Sequence, residues 1–357
     1  MSSNTLHLIE PDAPGCDPCA MAAVAQLSLK NGDRIAVLGP RSAVESAQSA
    51  GCTVEGALIS ALGFHRLSRR AMMRVWETHK ESRVVAWTEG AAVVASLLPD
   101  HVTVEARVAA VSPLAPWLEK TRKRRVDMHP VGEAVRPILS DRGWSLQSTI
   151  DVRDYQFPES MPVLDRETVR SEWEVRPREM VVACVGDPAE AIILRDCYTA
   201  ATIAHMAENP IRIVMHPEAG GLSHGRDFIG GMRKTHGDGV PQAVMDGRLA
   251  QPWRVFAGVD VVVMLQRSTR LQREVFSAFP VWWWLQSGVP LLASENAFTQ
   301  GIIPDDGLGG VIPIAGRNPL AAKLIALSAR WNGNSFAEQD DSSHSSMDEV
   351  TAPQDAK

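Results

Sequence analysis

A chain of 357 residues, 45% hydrophobic and 22% charged, is longer than a single hydrophobic core usually grows and too apolar for global disorder, so two domains of ordinary size are expected. The net charge of −6 is mostly tail: residues 1–150 carry 17 Lys and Arg against 15 Asp and Glu, residues 151–330 carry 18 against 21, and residues 331–357 carry 1 against 6. Nearly neutral domains with 6% aromatic residues exclude the electrostatic footprint of a nucleic-acid binder, and no nucleic acid is expected as a partner.

No run approaches the roughly 18 apolar residues of a membrane span, and Met1–Asp12 lacks the layout of a secretory signal, so a cytoplasmic protein is expected. Five cysteines, odd in number and scattered, make no disulfide framework.

In chain order, β-rich apolar runs alternate with helix-compatible stretches, which predicts parallel sheets flanked by helices. The first half offers strands at Leu6–Ile9, Arg34–Leu38, Arg83–Trp87 and Arg107–Val111, and helices at Cys19–Leu29, Ser42–Ala50, Ser68–Thr78 and Gly90–Leu98. Val126–His129 and Gly132–Ser140 add another strand and helix. Mixed polarity and two prolines over 151–165 read as a linker between a domain at 1–150 and a second at 166–331.

The second half restarts the alternation: Met180–Val185, a turn at Gly186-Asp187-Pro188, a helix over Ala189–Met206, then Ile211–Met215. Glu218–Gly239 reads as a Gly-rich loop whose His224 and His236, with nearby His216, fit no ligand triad. Strands Val259–Leu265 and Val289–Ala293 enclose a helix at Val275–Gln286, and Pro319–Arg330 is a last amphipathic helix. Residues 332–357 are too polar to offset their ordering entropy and are expected to form a disordered acidic tail.

The fold class is therefore α/β, two tandem Rossmann-like domains with a cleft between them. Open sheets of this kind bind ligands at the carboxyl ends of their strands, and a small anionic or nucleotide ligand is expected there.

Several segments resemble the family 4-like glycosyltransferases, nucleotide-sugar enzymes of the GT-B fold. Gly288-Val289-Pro290-Leu291-Leu292-Ala293-Ser294 is similar to that family's G-V-P-V-V-A-S segment, and Ala257-Gly258-Val259-Asp260-Val261-Val262-Val263 to the strand ahead of it. Arg170–Val175 and Met180–Gly186 look like the basic helix, strand and glycine that open the donor domain. In the first half, Ile9–Gly15 is similar to the first strand and the loop where acceptor and donor approach. Val84–Gly90 and His129–Val135 resemble later strand–loop segments. The family's paired glutamates, eight positions apart, fall here on Val275 and Trp283, with Glu274 one residue out of register; its Gly-Arg and later Lys become Gly186-Asp187 and Arg195.

The resemblance implies a nucleotide sugar as co-substrate, an unknown acceptor, no other cofactor, and metal-independent transfer with retention. The donor-side candidates are Gly186, Arg195, Ser294, Glu295 and Trp283, and the candidate base is Glu89. Each has a plainer reading. Asp187 and Pro188 suit a helix start, Arg195 a solvated helix face, and Ser294-Glu295-Asn296 a turn. Glu89 suits a helix first turn, and tryptophans such as Trp283 suit a core. The basic run Lys120, Arg122, Lys123, Arg124 and Arg125 is either a solvated helix end or a peripheral contact with the inner face of a membrane. Cys16-x-x-Cys19 lacks the second ligand pair of a zinc site and reads as a loop. The missing acids leave a second function open: a catalytically degenerate GT-B protein that binds a nucleotide, glycan or protein without turnover.

Overall fold

The computed structural model describes residues 5–11, 13, 16–58, 72–74, 76–77, 82–111, 125–155, 163–185, 191–217, 224–265, 278–295, 303, 309–313 and 317–344. Two parallel six-stranded sheets organise them. The first holds β1 (Thr5–Ile9), β2 (Arg34–Leu38), β3 (Val54–Leu58), β4 (Arg83–Ala86), β5 (Thr103–Val108) and β6 (Val126–Pro130), in the order β3-β2-β1-β4-β5-β6. The second holds β7 (Met180–Val185), β8 (Ile211–Met215), β9 (Gln242–Met245), β10 (Val261–Met264), β11 (Leu291–Ser294) and β12 (Gly310–Ile312), in the order β12-β11-β10-β7-β8-β9. Each repeats the doubly wound pattern of nucleotide-binding sheets, with the order reversing beside its first strand. The fold class is thus two Rossmann-like domains in tandem.

The helices are α1 (Pro18–Asn31), α2 (Arg41–Ser49), α3 (Glu89–Ala95), α4 (Arg136–Asp141), α5 (Arg166–Glu172), α6 (Ala191–Met206), α7 (His224–His236), α8 (Ala278–Gln286) and α9 (Arg317–His344). Local chemistry sets their ends. Asp17 caps α1, accepting from the Cys19 and Ala20 amides at 2.9 and 3.0 Å, and Pro18 occupies the first turn, where its missing N–H costs nothing. Gly32, at φ 68°, closes the same helix in the left-handed conformation that glycine adopts without penalty. On α9, Leu320, Leu324 and Leu327 recur at helical spacing and are buried in the second core with Ala201 and Tyr198 of α6, each contributing about 2 kcal/mol.

Several expectations are corrected. The strand placed at Arg107–Val111 is Thr103–Val108, because Glu105 and Arg107 sit inside it as paired charges. β3, β9 and β12 were not expected; they are short or carry Gly56 and Gly310. Helix α7 replaces much of the expected loop at 218–239 and contains His224 and His236. The last helix runs to His344, past the expected end at Arg330 and into the segment expected to be disordered, since a nucleated helix extends at one hydrogen bond per residue. The helix expected at Ser68–Thr78 falls largely outside the described residues.

Candidate functional site

The carboxyl ends of the two sheets face one another. Trp87, one residue past β4, has its ring 6.4 Å from Phe279 on α8, which follows β10. At the start of α1, after β1, Cys19 Sγ approaches the Ala250 carbonyl, after β9, at 4.0 Å. Trp87, Tyr155, Phe279, Trp253 and Trp283 belong to one buried cluster that includes the core of the first half. Tyr155 meets Phe279 edge-on at 5.1 Å and Trp253 meets Trp283 at 5.2 Å; the Trp282 indole and Gln286 amide donate to the Tyr155 carbonyl at 2.9 and 3.1 Å. Successive residues of a helix point about 100° apart, and the three tryptophans divide accordingly. Trp282 reaches Tyr155, Trp283 fills the seam, and Trp284 enters the core of the second half.

In the first sheet the order reverses between β1 and β4, so residues just past these strands lie at its switch point. Glu10 follows β1. Its Oε2 accepts the Thr88 hydroxyl at 2.9 Å, while the same hydroxyl oxygen, as cap of α3, accepts the Ala91 amide at 3.0 Å. Glu10 lies so close over α3 that a Cβ on Gly90 would stand 2.5 Å from Oε2. Beneath this pair, the Trp87 indole donates to His7 Nδ1 at 3.1 Å, and His7 Nε2 lies 3.3 Å from Asp33. Burial outweighs the pull of Asp33 and lowers the His7 pKa, so the ring stays neutral with its hydrogen on Nε2. On β5, burial alone would raise Glu105, but hydrogen bonds from Arg83 and Arg107 bring it below the usual carboxylate range. The Arg107 guanidinium stacks 5.6 Å over Trp87, and burial pushes the neighbouring Tyr155 phenol up.

The expected base is corrected. Glu89 is only 4% exposed; Arg142 donates to its Oε2 and the Trp144 indole to its Oε1 at 2.8 Å, so it is held in a buried ion pair. Trp283 is likewise corrected as a ring-stacking residue, because it is fully buried against Trp253. Arg125, of the expected basic run, pairs with Asp100 at 2.9 Å and donates to the Ser96 and Leu98 carbonyls at the end of α3. Lys120, Arg122, Lys123 and Arg124 lie outside the described residues, as does Gly186.

On the donor side, Arg195 is exposed in the first half of α6, which follows β7, with its guanidinium 6.0 Å over the Phe228 ring. Ser294 ends β11, buried, and the exposed Glu295 follows, its amide donating to the Ile312 carbonyl at 2.9 Å. Both β7 and β11 flank β10 in the sheet, so these groups share one edge. Among the described residues no three His, Cys, Asp or Glu side chains converge to hold a metal, and no helix is long and apolar enough to cross a membrane. Burial pushes the Cys16 and Cys19 thiols well up.

Glu10, which the sequence analysis does not single out, contacts Thr88 and Gly90. The available signal was a carboxylate directly after the first strand, paired with a glycine two residues past Thr88.

No family model matches this chain, and no curated protein matches it. Solved structures do. A glycosyltransferase from Rickettsia africae superimposes with a TM-score of 0.61 at 9% identity, covering 92% of this chain and 88% of its own. Anabaena HepE in complex with UDP and glucose gives 0.56 at 12% identity, covering 95% and 100%; a HepE complex with UDP-glucose also matches. A putative UDP-N-acetylglucosamine 2-epimerase from Listeria monocytogenes gives 0.59 at 8%, covering 92% and 88%. At such identities the likeness shows the fold: the chain has the GT-B architecture.

Proposed function

We propose that this chain is a glycosyltransferase-like protein that binds a nucleotide sugar in the cleft and passes the sugar to an acceptor. The observation that carries the reading is that the chain has two parallel sheets of Rossmann order, each with a switch point at which such folds bind ligands, and this supports a donor on one half and an acceptor on the other. The complexes of HepE with UDP and UDP-glucose support a uridine nucleotide sugar as the donor class. The donor belongs on the second half, its diphosphate near Arg195 and its sugar side towards Ser294 and Glu295. Arg195 would offset the charge that develops on the leaving diphosphate, a contribution larger in the transition state than in the ground state.

Trp283, where a donor-contacting glutamate is expected, lies buried in the seam, and this supports the second reading, a GT-B protein that binds its ligand without turnover. Calorimetric titration with UDP-glucose separates these from a protein without a donor site. A saturable site that Arg195→Ala weakens about tenfold, the scale of one lost charge-assisted hydrogen bond, is the expected outcome. No binding would reject UDP-glucose as the donor. UDP released on standing with the protein distinguishes turnover from binding.

A further inference from the structure

The His7 side chain on β1 is 4% exposed and lies between two partners of opposite kind. An indole N–H only donates, so the 3.1 Å bond from Trp87 to Nδ1 requires that nitrogen to be bare. The one ring hydrogen then sits on Nε2, facing Asp33 Oδ2 at 3.3 Å. Asp33, just before β2, is itself held by the Thr5 amide at 3.0 Å. A second ring hydrogen has a single place to go, Nδ1, where it meets the indole N–H. Two donors make no bond, so charging His7 and keeping the Trp87 bond exclude one another. Around the ring, Asp33 attracts a proton, while Arg83 on β4 and Arg107 on β5 repel it; Glu105 on β5 pairs with both arginines. Burial decides the balance against the charged form.

Trp87 also belongs to the contact between the halves. Its ring meets Tyr155 edge-on at 5.8 Å and lies 6.4 Å from Phe279 on α8 of the second half, with the Arg107 guanidinium 5.6 Å over it. The same helix holds the Tyr155 carbonyl through Trp282 and Gln286. We infer that His7 is an acid-sensitive latch between the halves: a proton taken up from solvent at Nδ1 breaks the Trp87 bond, frees the indole from its place against Tyr155 and Phe279, and loosens α8 from the first half. The step is reversible, since the proton returns to solvent as the bond re-forms. With the latch open the ring titrates near the ordinary histidine value of about 6.5, and with it closed at a lower one. The open form therefore gains as pH falls below about 6.5, by at most about tenfold per pH unit for one proton, and the gain ceases below the closed value. The latch does not depend on which ligand the protein binds.

The test is hydrogen exchange of the whole chain at pH 7.5 and pH 5.0, corrected for the intrinsic pH dependence of exchange, read on peptides covering α8 and β7. In the wild type α8 is expected to lose about tenfold or more of its protection, within the ceiling of about 30-fold that one proton allows over this interval, while β7 keeps its own. His7→Gln offers Trp87 an amide oxygen and takes up no proton in this range. Trp87→Phe has no indole N–H to oppose a charged ring. Both are expected to lose less than about twofold. A second measurement needs the wild type alone: the NMR titration midpoint of the His7 ring should coincide with the midpoint of α8 exposure. No loss in the wild type, equal loss in wild type and variants, equal loss in α8 and β7, or a His7 ring still neutral where α8 opens would overturn the inference.

Discussion

Glu89 and Glu10 lie on either side of the start of α3 and make different bonds, Glu89 with Arg142 and Glu10 with Thr88. Glu89 is 4% exposed and bonded through both oxygens, so Glu89→Ala removes the carboxylate that the Arg142 guanidinium and the Trp144 indole both bond. Breaking a buried pair of this kind costs about 3–5 kcal/mol, and urea unfolding is expected to show a loss of that size. Glu10→Gln keeps an acceptor for Thr88 and should cost less than about 1 kcal/mol. His7 gives a pH dependence. Its pKa is lowered by burial, against the pull of Asp33 and helped by Arg107 and Arg83. The fold therefore favours the neutral ring: this stabilisation is complete above the unfolded histidine value of about 6.5 and is lost as pH falls through the lower folded value. Urea midpoints at pH 8 and pH 5 should fall more steeply for the wild type than for His7→Gln; equal slopes would reject a depressed His7.

At the scale of elements, close approach decides which segments are tolerant. Gly258 sits where a Cβ would stand 2.4 Å from Val169 Cγ1 and 3.0 Å from Trp173, so α5 can lie on the turn before β10 only if that residue is glycine. Gly258→Ala is expected to cost about 1–3 kcal/mol by overpacking, read as a lower melting temperature. The elements legible in the sequence were those with long apolar runs, such as Met180–Val185, and those with a clear cap, such as α1 behind Asp17 and Pro18. The ones missed have specific causes. Thr103–Val108 hides its strand character behind Glu105 and Arg107, which pair with each other on β5 while Arg83 of β4 bonds Glu105 from the neighbouring strand. Helix α7 carries Gly230 and Gly231, which mimic a loop. The positions of the candidate residues Arg195, Ser294 and Glu295 beside readable strands were legible, Arg195 on the helix after β7 and Ser294 and Glu295 at the end of β11. The contacts of Glu10 were not, because its partners Thr88 and Gly90 are nearly eighty residues distant and come together only when β1 pairs with β4.

For the molecule as a whole, the aromatic seam couples the halves. A buried cluster that joins Trp87 and Tyr155 to Phe279, Trp253 and Trp283 predicts a single cooperative unfolding transition rather than two. Trp283→Ala removes the ring facing Trp253 and should cost about 3–5 kcal/mol and split the calorimetric transition; one unchanged peak would mean the seam does not couple them. The central claim is that the opposed switch points form a nucleotide-sugar site, and thermal shift of the intact protein against a panel of nucleotide sugars and free nucleoside diphosphates tests it most directly. A ligand at 100 times its Kd adds about 2.7 kcal/mol to the native state. The account predicts a saturable rise in melting temperature with one nucleotide sugar and its nucleoside diphosphate, reduced in Arg195→Ala. No shift with any member of the panel would contradict it.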